Sequence, residues 1–213
     1  MKIPLGLRIK RKKHRDIAFL QDIIVEKLYE IFPDCVIHGG TAIWRCYNGN
    51  RFSDDIDVYL EKNINKINLL FEELKKEGFE IIKKRIKENS LFSILKFDNA
   101  EIKLESVFKK VKGTLSEYET LEGNLITVYT LLAENLIKEK IKAYLKRRKM
   151  RDLYDIFYLL RFVKEKEKIK KDLAILITEF KQPLDEDEFK TLILYGIVPR
   201  ASEIIEYIRR WLK

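Results

Sequence analysis

Several features are scarce in this chain of 213 residues, and each scarcity excludes a class of protein. Two cysteines, Cys35 and Cys46, are too few and too poorly spaced for a disulfide framework or a zinc site. The 8 glycines and 4 prolines exclude a fibrous or low-complexity chain. No apolar run approaches the roughly 18 residues that a membrane helix needs, and no secretory signal is visible. We therefore expect a cytoplasmic protein without a membrane partner.

Positive charge is concentrated in two stretches of the sequence. Residues 1–15 and residues 138–151 each carry a net charge of +7, whereas the whole chain carries +9. The remainder is therefore acidic, and the two basic stretches favour a polyanion as a partner. A solvated helix face and a mobile tail would give the same pattern, so charge alone leaves both interpretations open.

Hydrophobic periodicity divides the chain into two parts. Residues 1–122 alternate between helical and strand-like patterns, with strands expected at 35–38, 55–60, 79–86, 91–97 and 101–108. The character of the sequence changes after Gly113 and Gly123, and from about residue 129 onward nearly everything has helical periodicity. The sequence thus predicts an α/β domain over residues 1–122, including the basic N-terminal segment, followed by a helical domain over residues 123–213.

Two aspartates on one predicted strand indicate a metal site. Asp55 and Asp57 are two positions apart, so both point to one face of the strand while Ile56 and Val58 point into the core. Neighbouring carboxylates repel each other unless a cation lies between them. Oxygen ligands without histidine or cysteine suit Mg²⁺ or Mn²⁺.

A glycine pair precedes these aspartates by about fifteen residues. Gly39 and Gly40 allow the backbone to turn tightly and to approach a ligand, and Thr41 can cap the short helix that follows. The amino end of that helix offers free N–H groups to a phosphate. Either motif alone is common by chance, but in this order they predict phosphoryl or nucleotidyl transfer.

The same residues carry a family resemblance. His38-Gly39-Gly40-Thr41-Ala42, followed by Arg51-Phe52-Ser53-Asp54-Asp55-Ile56-Asp57, resembles the nucleotidyltransferases of the polymerase β superfamily. More narrowly, it is similar to the AbiEii/AbiGii (MenA-like) toxins of type IV toxin–antitoxin systems. This resemblance implies an α+β core with a mixed sheet, followed by a C-terminal helical domain that completes the active site.

The resemblance also implies further site residues. It leads us to expect a third carboxylate, for which Glu105 is preferred and Glu101 is the alternative. The interpretation of residues 101–108 as an exposed strand without a role in the site also stays open. It places Lys140 and Asp155 in the active site, with Asp155 either orienting Lys140 or activating the attacking hydroxyl. Arg51 and Ser53 each have two interpretations. Arg51 could bind phosphate or pair with an acid of its own loop, and Ser53 could bind phosphate or cap that loop.

These residues lead to a nucleotidyltransferase hypothesis. An NTP would donate its NMP to an RNA acceptor, with Asp55, Asp57 and Glu105 as metal ligands; the expected phosphate-binding residues are Gly39, Gly40, Thr41, Arg51, Ser53 and Lys140. The resemblance implies tRNA, at its 3′ end, as the acceptor, growth arrest as the outcome and an antitoxin as a partner. Two alternatives are transfer to a protein hydroxyl and a catalytically silent nucleic-acid-binding protein of the same fold.

Overall fold

The structure is a computed structural model that describes residues 3–213. Its contacts divide into two compact units. Unit 1 comprises residues up to Asn48 together with Phe52–Leu131, and unit 2 comprises Gly49–Arg51 together with Leu132–Lys213. The short segment Gly49–Arg51 thus belongs to unit 2, although its neighbours in sequence on both sides belong to unit 1.

Unit 1 contains a seven-stranded mixed sheet, counted over residues 3–213. The strands follow the order β3-β4-β5-β2-β1-β7-β6. The β2/β5 and β1/β7 pairs are parallel, and the other neighbours are antiparallel. The strands are β1 Val36–His38, β2 Asp55–Leu60, β3 Glu80–Ile86, β4 Ser90–Phe97, β5 Ala100–Phe108, β6 Thr114–Glu119 and β7 Leu125–Thr130.

Helices cover the apolar face of this sheet. The helices of unit 1 are α1 Leu5–Arg8, α2 Lys12–Ile31, α3 Gly39–Cys46 and α4 Ile64–Lys76. Helix α2 packs against α4 and β5 through a buried stripe that includes Ile17, Leu20 and Ile24. Asn63 caps α4 by accepting the Lys66 N–H, and Gly78 ends this segment with a φ of 97°.

Unit 2 is helical. Its helices are α5 Ala133–Arg147, α6 Met150–Leu159, α7 Glu167–Thr178, α8 Glu186–Phe189 and α9 Ala201–Leu212, with 3₁₀ turns at Leu160–Phe162 and Lys190–Leu192. Helix α5 packs against α6 and α7, and α9 packs against α6 and α7. Arg148, in the left-handed region with a φ of 52°, ends α5 and reverses the chain into α6.

The fold class expected from the sequence is confirmed: a mixed sheet with helices is followed by a set of helices. All five expected strands are present, but the β6–β7 hairpin was not expected. Because β7 pairs with both β1 and β6, the two compact units divide after Leu131 rather than at residue 122. None of the helices within residues 3–213 combines the length and the apolar character required to cross a bilayer.

Candidate active site

Strand β2 presents two carboxylates on one face of the sheet. Burial alternates along the strand: Asp55 and Asp57 are half-buried, whereas Ile56 and Val58 are fully buried beneath the helices. The apolar residues thus fix the register of the strand, since a slip by one residue would bury both carboxylates. The shared face of Asp55 and Asp57 follows directly from this register.

The neighbouring strand brings a third carboxylate to the same face. In the parallel pairing of β2 with β5, Glu105 lies opposite Asp57 and Lys103 lies opposite Asp55. Glu101 precedes this paired segment and is exposed, whereas Glu105 is half-buried. The register therefore favours Glu105 over Glu101 as the third acidic residue beside the aspartate pair.

Gly39 makes room for the Asp57 carboxylate. Its φ of 69° lies in the left-handed region, which favours glycine. A Cβ atom built on Gly39 would collide with the side chain of Asp57. The strand pairing explains this proximity, because His38, directly before Gly39, lies opposite Asp57. Glycine at this position is therefore needed both for the backbone conformation and for the position of the carboxylate.

Helix α3 begins earlier than expected. It starts at Gly39, with His38 as its N-cap residue, so the expected capping role of Thr41 is wrong. Thr41 lies in the first turn, where its hydroxyl donates a hydrogen bond to the carbonyl oxygen of Asp55. The reason is tertiary: the first turn of α3 packs against β2, and this contact gives the hydroxyl a partner outside its own helix. Gly40 is buried in the same turn.

Gln21 of α2 holds the loop that leads into β2, and sequence analysis missed it. It is fully buried, and its Nε2 donates to the Ser53 carbonyl oxygen at 2.8 Å and to Thr41 Oγ1 at 3.3 Å. Ser53 is itself buried. The available signal was a polar residue on an apolar stripe, since Gln21 lies four residues after Ile17 and three before Ile24. Such a residue needs a buried partner.

The charge beside Asp55 is partly offset by a lysine. Lys103 Nζ lies 3.5 Å from Asp55 Oδ1, and the Lys103 side chain is 46% exposed. The exposed position allows the flexible lysine side chain to leave at little cost.

The donor atoms on this face fit a hard divalent cation. Within the described part of the chain, no group of three or more histidine, cysteine or acidic side chains is gathered as a metal site. The set nevertheless has the right chemistry, because Asp55, Asp57 and Glu105 offer only carboxylate oxygens on one face. Gly39, which lacks a side chain, leaves room for the Asp57 carboxylate itself. These three acids are thus the residues that could hold Mg²⁺ or Mn²⁺.

Unit 2 contains a cluster of buried charges around Asp155. Arg51 binds Asp155 with two parallel hydrogen bonds, from Nε to Oδ1 at 2.5 Å and from Nη2 to Oδ2 at 2.6 Å. Lys140 Nζ lies 2.8 Å from Asp155 Oδ2. All three residues are buried. Arg51 therefore pairs with an acid far away in sequence, about a hundred residues beyond its own loop.

Asp152 extends this charge cluster at the contact of α5 with α6. Arg147 binds it with two hydrogen bonds, of 2.7 Å from Nε and 2.8 Å from Nη2, and Lys140 Nζ lies 3.5 Å from its Oδ1. Asp152 joins the two helices through Arg147, because Arg147 in the last turn of α5 reaches the first turn of α6.

The buried charges of this cluster balance one another. Two buried cations, Arg51 and Lys140, face two buried carboxylates, Asp152 and Asp155, and Arg147, whose side chain is 43% exposed, contacts the cluster from its edge. Burial alone would raise the pKa of Asp155, but the charges of Arg51 and Lys140 outweigh it, and the pKa is lowered from its usual value of 3.8. Asp155 is therefore ionised at neutral pH and is a weak base. This favours an orienting role over activation of a hydroxyl.

Tyr154 and Asn50 hold the backbone next to Arg51 in place, and sequence analysis missed both residues. The Tyr154 hydroxyl donates to Asn50 Oδ1 at 2.7 Å, which fixes the residue before Arg51. Burial raises the pKa of Tyr154, so its hydroxyl stays protonated as a donor. Asn50 also accepts the Leu194 N–H through its backbone carbonyl, and Arg51 forms a bridge with Ile193. Only the tertiary structure gives the asparagine these partners.

The basic stretch 138–151 is less available than its sequence suggests. Four of its cations pair with acids: Lys138 with Asp172, Lys140 with Asp155, Arg147 with Asp152 and Lys149 with Asp185. In the N-terminal basic stretch, Arg8 pairs with Glu119, and Lys2 lies outside the described residues. Much of the local excess charge in 138–151 thus holds unit 2 together.

Solved structures share the architecture of this chain. The structure of MenT4, a nucleotidyltransferase toxin from Mycobacterium tuberculosis H37Rv, matches with a TM-score of 0.68 at 16% identity and covers 98% of this chain and 87% of that one. JHP933 from Helicobacter pylori matches with a TM-score of 0.62 at 18% identity, covering 95% and 91% respectively. At such low identities these matches show the fold alone. No curated protein sequence matches this chain.

The family is shown by the sequence itself. The model of the family described as "Nucleotidyl transferase AbiEii toxin, Type IV TA system" matches residues 22–200. The chain therefore belongs to the AbiEii nucleotidyltransferase toxin family, and the family and enzyme class expected from the Gly-Gly-Thr and Asp-x-Asp motifs are confirmed.

Proposed function

We propose that this enzyme transfers a nucleoside monophosphate from an NTP to a hydroxyl group of RNA, with the 3′ end of tRNA as the acceptor. Membership of the nucleotidyltransferase family supports the reaction class. The observation that carries the proposal is the parallel register of β2 with β5, because it sets Glu105 beside the aspartate pair on a single face. Gly39 supports it further by leaving room at Asp57.

The reaction replaces a phosphoanhydride bond of the NTP with a phosphodiester bond to the acceptor. The acceptor hydroxyl oxygen attacks the α-phosphorus of the NTP and forms a new P–O bond, while the bond from the α-phosphorus to the α,β-bridging oxygen breaks. Pyrophosphate leaves with the electron pair of that bond. The hydroxyl proton passes to a carboxylate on the same face, for which we propose Glu105, since Asp155 is a weak base.

Asp55, Asp57 and Glu105 would hold the divalent cation. Mg²⁺ or Mn²⁺, when bound, neutralises the charge that develops on the phosphoryl oxygens. The protein itself positions the groups: the Thr41 hydroxyl and Gln21 fix the backbone that leads into β2, so that the two aspartates keep their spacing.

Phosphate binding is assigned to two sets of residues. In unit 1 the backbone N–H groups of Gly39, Gly40 and Thr41 begin a helix and lack intrahelical partners, and we assign them to phosphate together with Ser53. In unit 2 we assign Lys140 and Arg51, which both contact Asp155, to phosphate. Asp155 holds both cations in place. That residues 123–213 complete the active site stays a prediction.

The family membership leads us to expect a cognate antitoxin. We expect its gene beside that of this chain, and we expect expression of this chain alone to arrest growth. Co-expression with the neighbouring small reading frame should restore growth. Cells that express the Asp57→Asn variant alone should grow without such rescue. Growth arrest by the Asp57→Asn variant would separate toxicity from transfer and contradict this link.

Labelled nucleotides test the proposed reaction directly. The purified chain is incubated with each α-³²P-labelled NTP, MgCl₂ and bulk tRNA, and the products are separated by gel electrophoresis. Label in RNA supports the proposal; label in protein supports transfer to a protein hydroxyl instead; no label with any NTP supports the catalytically silent alternative. Chelation of the metal by EDTA should abolish transfer.

The matched variants are Asp57→Asn and Asp54→Asn. Both remove one negative charge from the same segment, but Asp54 is exposed and lies before the strand. We expect Asp57→Asn to lower transfer at least about a hundredfold while its unfolding midpoint stays close to that of the wild type. Asp54→Asn should stay within about twofold. A folded Asp57→Asn variant with undiminished transfer would refute the assignment.

A further inference from the structure

A cavity of about 700 Å³ in unit 1 opens beside the carboxylate face. Three of its lining residues lie side by side in the sheet: Val36 of β1 pairs with Tyr59 of β2 and with Tyr129 of β7. Because Tyr59 is two positions after Asp57, it shares the face of the aspartates and lies about 7 Å further along β2. The cavity thus continues the proposed active face within the same unit.

Aromatic side chains line the path from the carboxylates into this cavity. His38, opposite Asp57, stacks on Tyr59 with ring centroids 4.0 Å apart. Tyr59 and Tyr129 are half-buried, so each presents part of its side chain to the open volume. Flat, partly open aromatic side chains of this kind are the surfaces on which unpaired bases stack.

The rim of the cavity is basic. Five lysines and two acids line it, which leaves a local charge of +3; they are Lys62, Lys66, Lys109, Lys110 and Lys112 with Asp34 and Glu61. Within residues 3–213, no ion pair joins Lys109, Lys110 or Lys112 to an acid, and all three are exposed. These lysines therefore differ from the cations of the stretch 138–151, four of which form ion pairs with acids of unit 2.

Gly113 holds this lysine-bearing segment close to the floor of the cavity. A Cβ atom on Gly113 would lie 2.7 Å from Tyr129 Cβ and 3.0 Å from Val36 Cγ2, so no side chain fits there. At the other end of the segment, the Lys109 N–H donates to the Leu60 carbonyl oxygen at 2.9 Å and continues the β2–β5 pairing. The lysines are therefore fixed at the edge of the aromatic floor.

We propose that this cavity holds a single-stranded segment of the nucleic-acid acceptor, namely the nucleotides next to the one that receives the NMP. Stacking on Tyr59 and Tyr129 would hold bases, and Lys110 and Lys112 would bind phosphates. The inference rests on the proposed function for the identity of the strand. An acidic peptide would use the lysines but leave the aromatic floor without a role, which is why we favour the nucleic acid.

Binding measured without catalysis tests this proposal. The anisotropy of a fluorescein-labelled single-stranded RNA of about 12 nucleotides is titrated with the full chain in EDTA without NTP, between about 50 and 200 mM KCl. We expect Lys110→Gln/Lys112→Gln to weaken binding about tenfold and to lower the slope of log affinity against log salt by about 1.4. Tyr59→Leu should weaken binding about tenfold and Tyr59→Phe should bind like the wild type, since stacking needs the ring alone.

A matched pair of lysines elsewhere in unit 1 is the control. Lys75 and Lys87 are exposed and do not line the cavity, so Lys75→Gln/Lys87→Gln makes the same charge change without touching it. This variant should bind within about twofold of the wild type. Equal weakening by the two lysine variants would show a general charge effect and overturn the proposal. Unfolding midpoints of the lysine variants, whose side chains are exposed, should match the wild type.

Competitors identify the occupant. A polyglutamate peptide that displaces the RNA, with Tyr59→Leu binding RNA normally, would indicate a protein partner and overturn the proposal. Displacement of the RNA by a free mononucleotide at a concentration equal to that of the oligonucleotide would indicate a nucleotide site and overturn it as well. Displacement only by longer unlabelled RNA supports it.

The outcome is separable from that of the proposed function. Asp57→Asn should bind RNA like the wild type, because the assay contains no metal and no NTP. If the wild-type chain binds RNA through Tyr59 and Lys110 but transfers no nucleotide, the proposed function fails and RNA binding in the cavity stands. If the chain transfers NMP to RNA while the lysine and tyrosine variants bind and react like the wild type, RNA binding in the cavity fails and the proposed function stands.

Discussion

Asp155 offers the sharpest test of the buried-charge cluster in unit 2, through the variant Asp155→Asn. The substitution keeps the shape of the side chain and removes its charge. It would leave the Arg51 and Lys140 side chains, which are 3% and 8% exposed, without their main counter-ion. Unpaired buried cations are costly, and breaking such a pair typically costs about 3 to 5 kcal/mol.

The structure places the expected loss near the middle of that range. Asp155 makes two charge-assisted hydrogen bonds to Arg51 and one close contact with Lys140, so a single carboxylate serves two cations. Asp152 lies 3.5 Å from Lys140 and can compensate in part for that lysine, but Arg51 gains no such substitute from it. We therefore expect a loss of about 4 kcal/mol in the free energy of unfolding.

Urea denaturation followed by circular dichroism measures this loss, with Asp172→Asn as the control. Asp172 also faces a lysine, Lys138, but at 4.0 Å and with both side chains about one-third exposed. Exposed pairs contribute little, so the control should change the free energy of unfolding by less than about 1 kcal/mol. A loss below about 1 kcal/mol for Asp155→Asn would refute the view that this carboxylate neutralises the cluster.

Acid titration gives an independent check of the direction in which the pKa of Asp155 is shifted. The pKa of Asp155 is lowered in the folded state from its usual 3.8, so the unfolded chain binds the proton more readily. Its contribution to stability is therefore fully present above about pH 4 and is lost as the pH falls below that value. The wild type should lose stability in this window more steeply than Asp155→Asn. Equal slopes in the two proteins would contradict the lowered pKa.

Two further substitutions test how the carboxylate face is built. Gly39→Ala should cost about 1 to 2 kcal/mol in stability and should lower transfer at least about a hundredfold, because the new Cβ displaces the Asp57 carboxylate. Gly123→Ala, at a φ of 91°, has the same backbone cost and should leave transfer unchanged; equal activity losses would contradict the role of Gly39. Gln21→Leu should lower the free energy of unfolding by about 1 to 3 kcal/mol, since the Ser53 carbonyl loses its buried donor. The same change at Gln182, which is exposed, should cost less than about 0.5 kcal/mol in urea denaturation, and similar costs at both positions would refute the proposed role of Gln21.

Sequence patterns predicted the elements around the site because their signals are local. Alternation of apolar and acidic residues in 55–60 predicted β2, with both aspartates on one face, since side chains alternate along any strand. The β6–β7 hairpin was missed because its alternation is weak: Leu115 in the edge strand β6 and Leu125 at the start of β7 are both exposed, so apolar residues do not mark a single buried face. Such strands are recognised by their neighbours rather than by their own pattern.

Partners distant in sequence could not be predicted. The charges of residues 138–151 indicated a polyanion site, but Asp152, Asp155, Asp172 and Asp185 pair with four of those cations in the folded chain. Arg51 likewise finds its carboxylate about a hundred residues later. Ion pairs depend on which helices pack together, and no local periodicity records that.

The amino-acid sequence by itself determined the family, the aspartate pair and the glycine turn, because these depend on residue types at fixed spacing within one strand–helix–strand segment. Tertiary structure alone decided that Glu105 rather than Glu101 lies beside Asp57, since that choice depends on the register between two strands. It also decided which lysines stay available at the surface, because a charge is neutralised by whatever side chain the fold brings within a few ångströms of it.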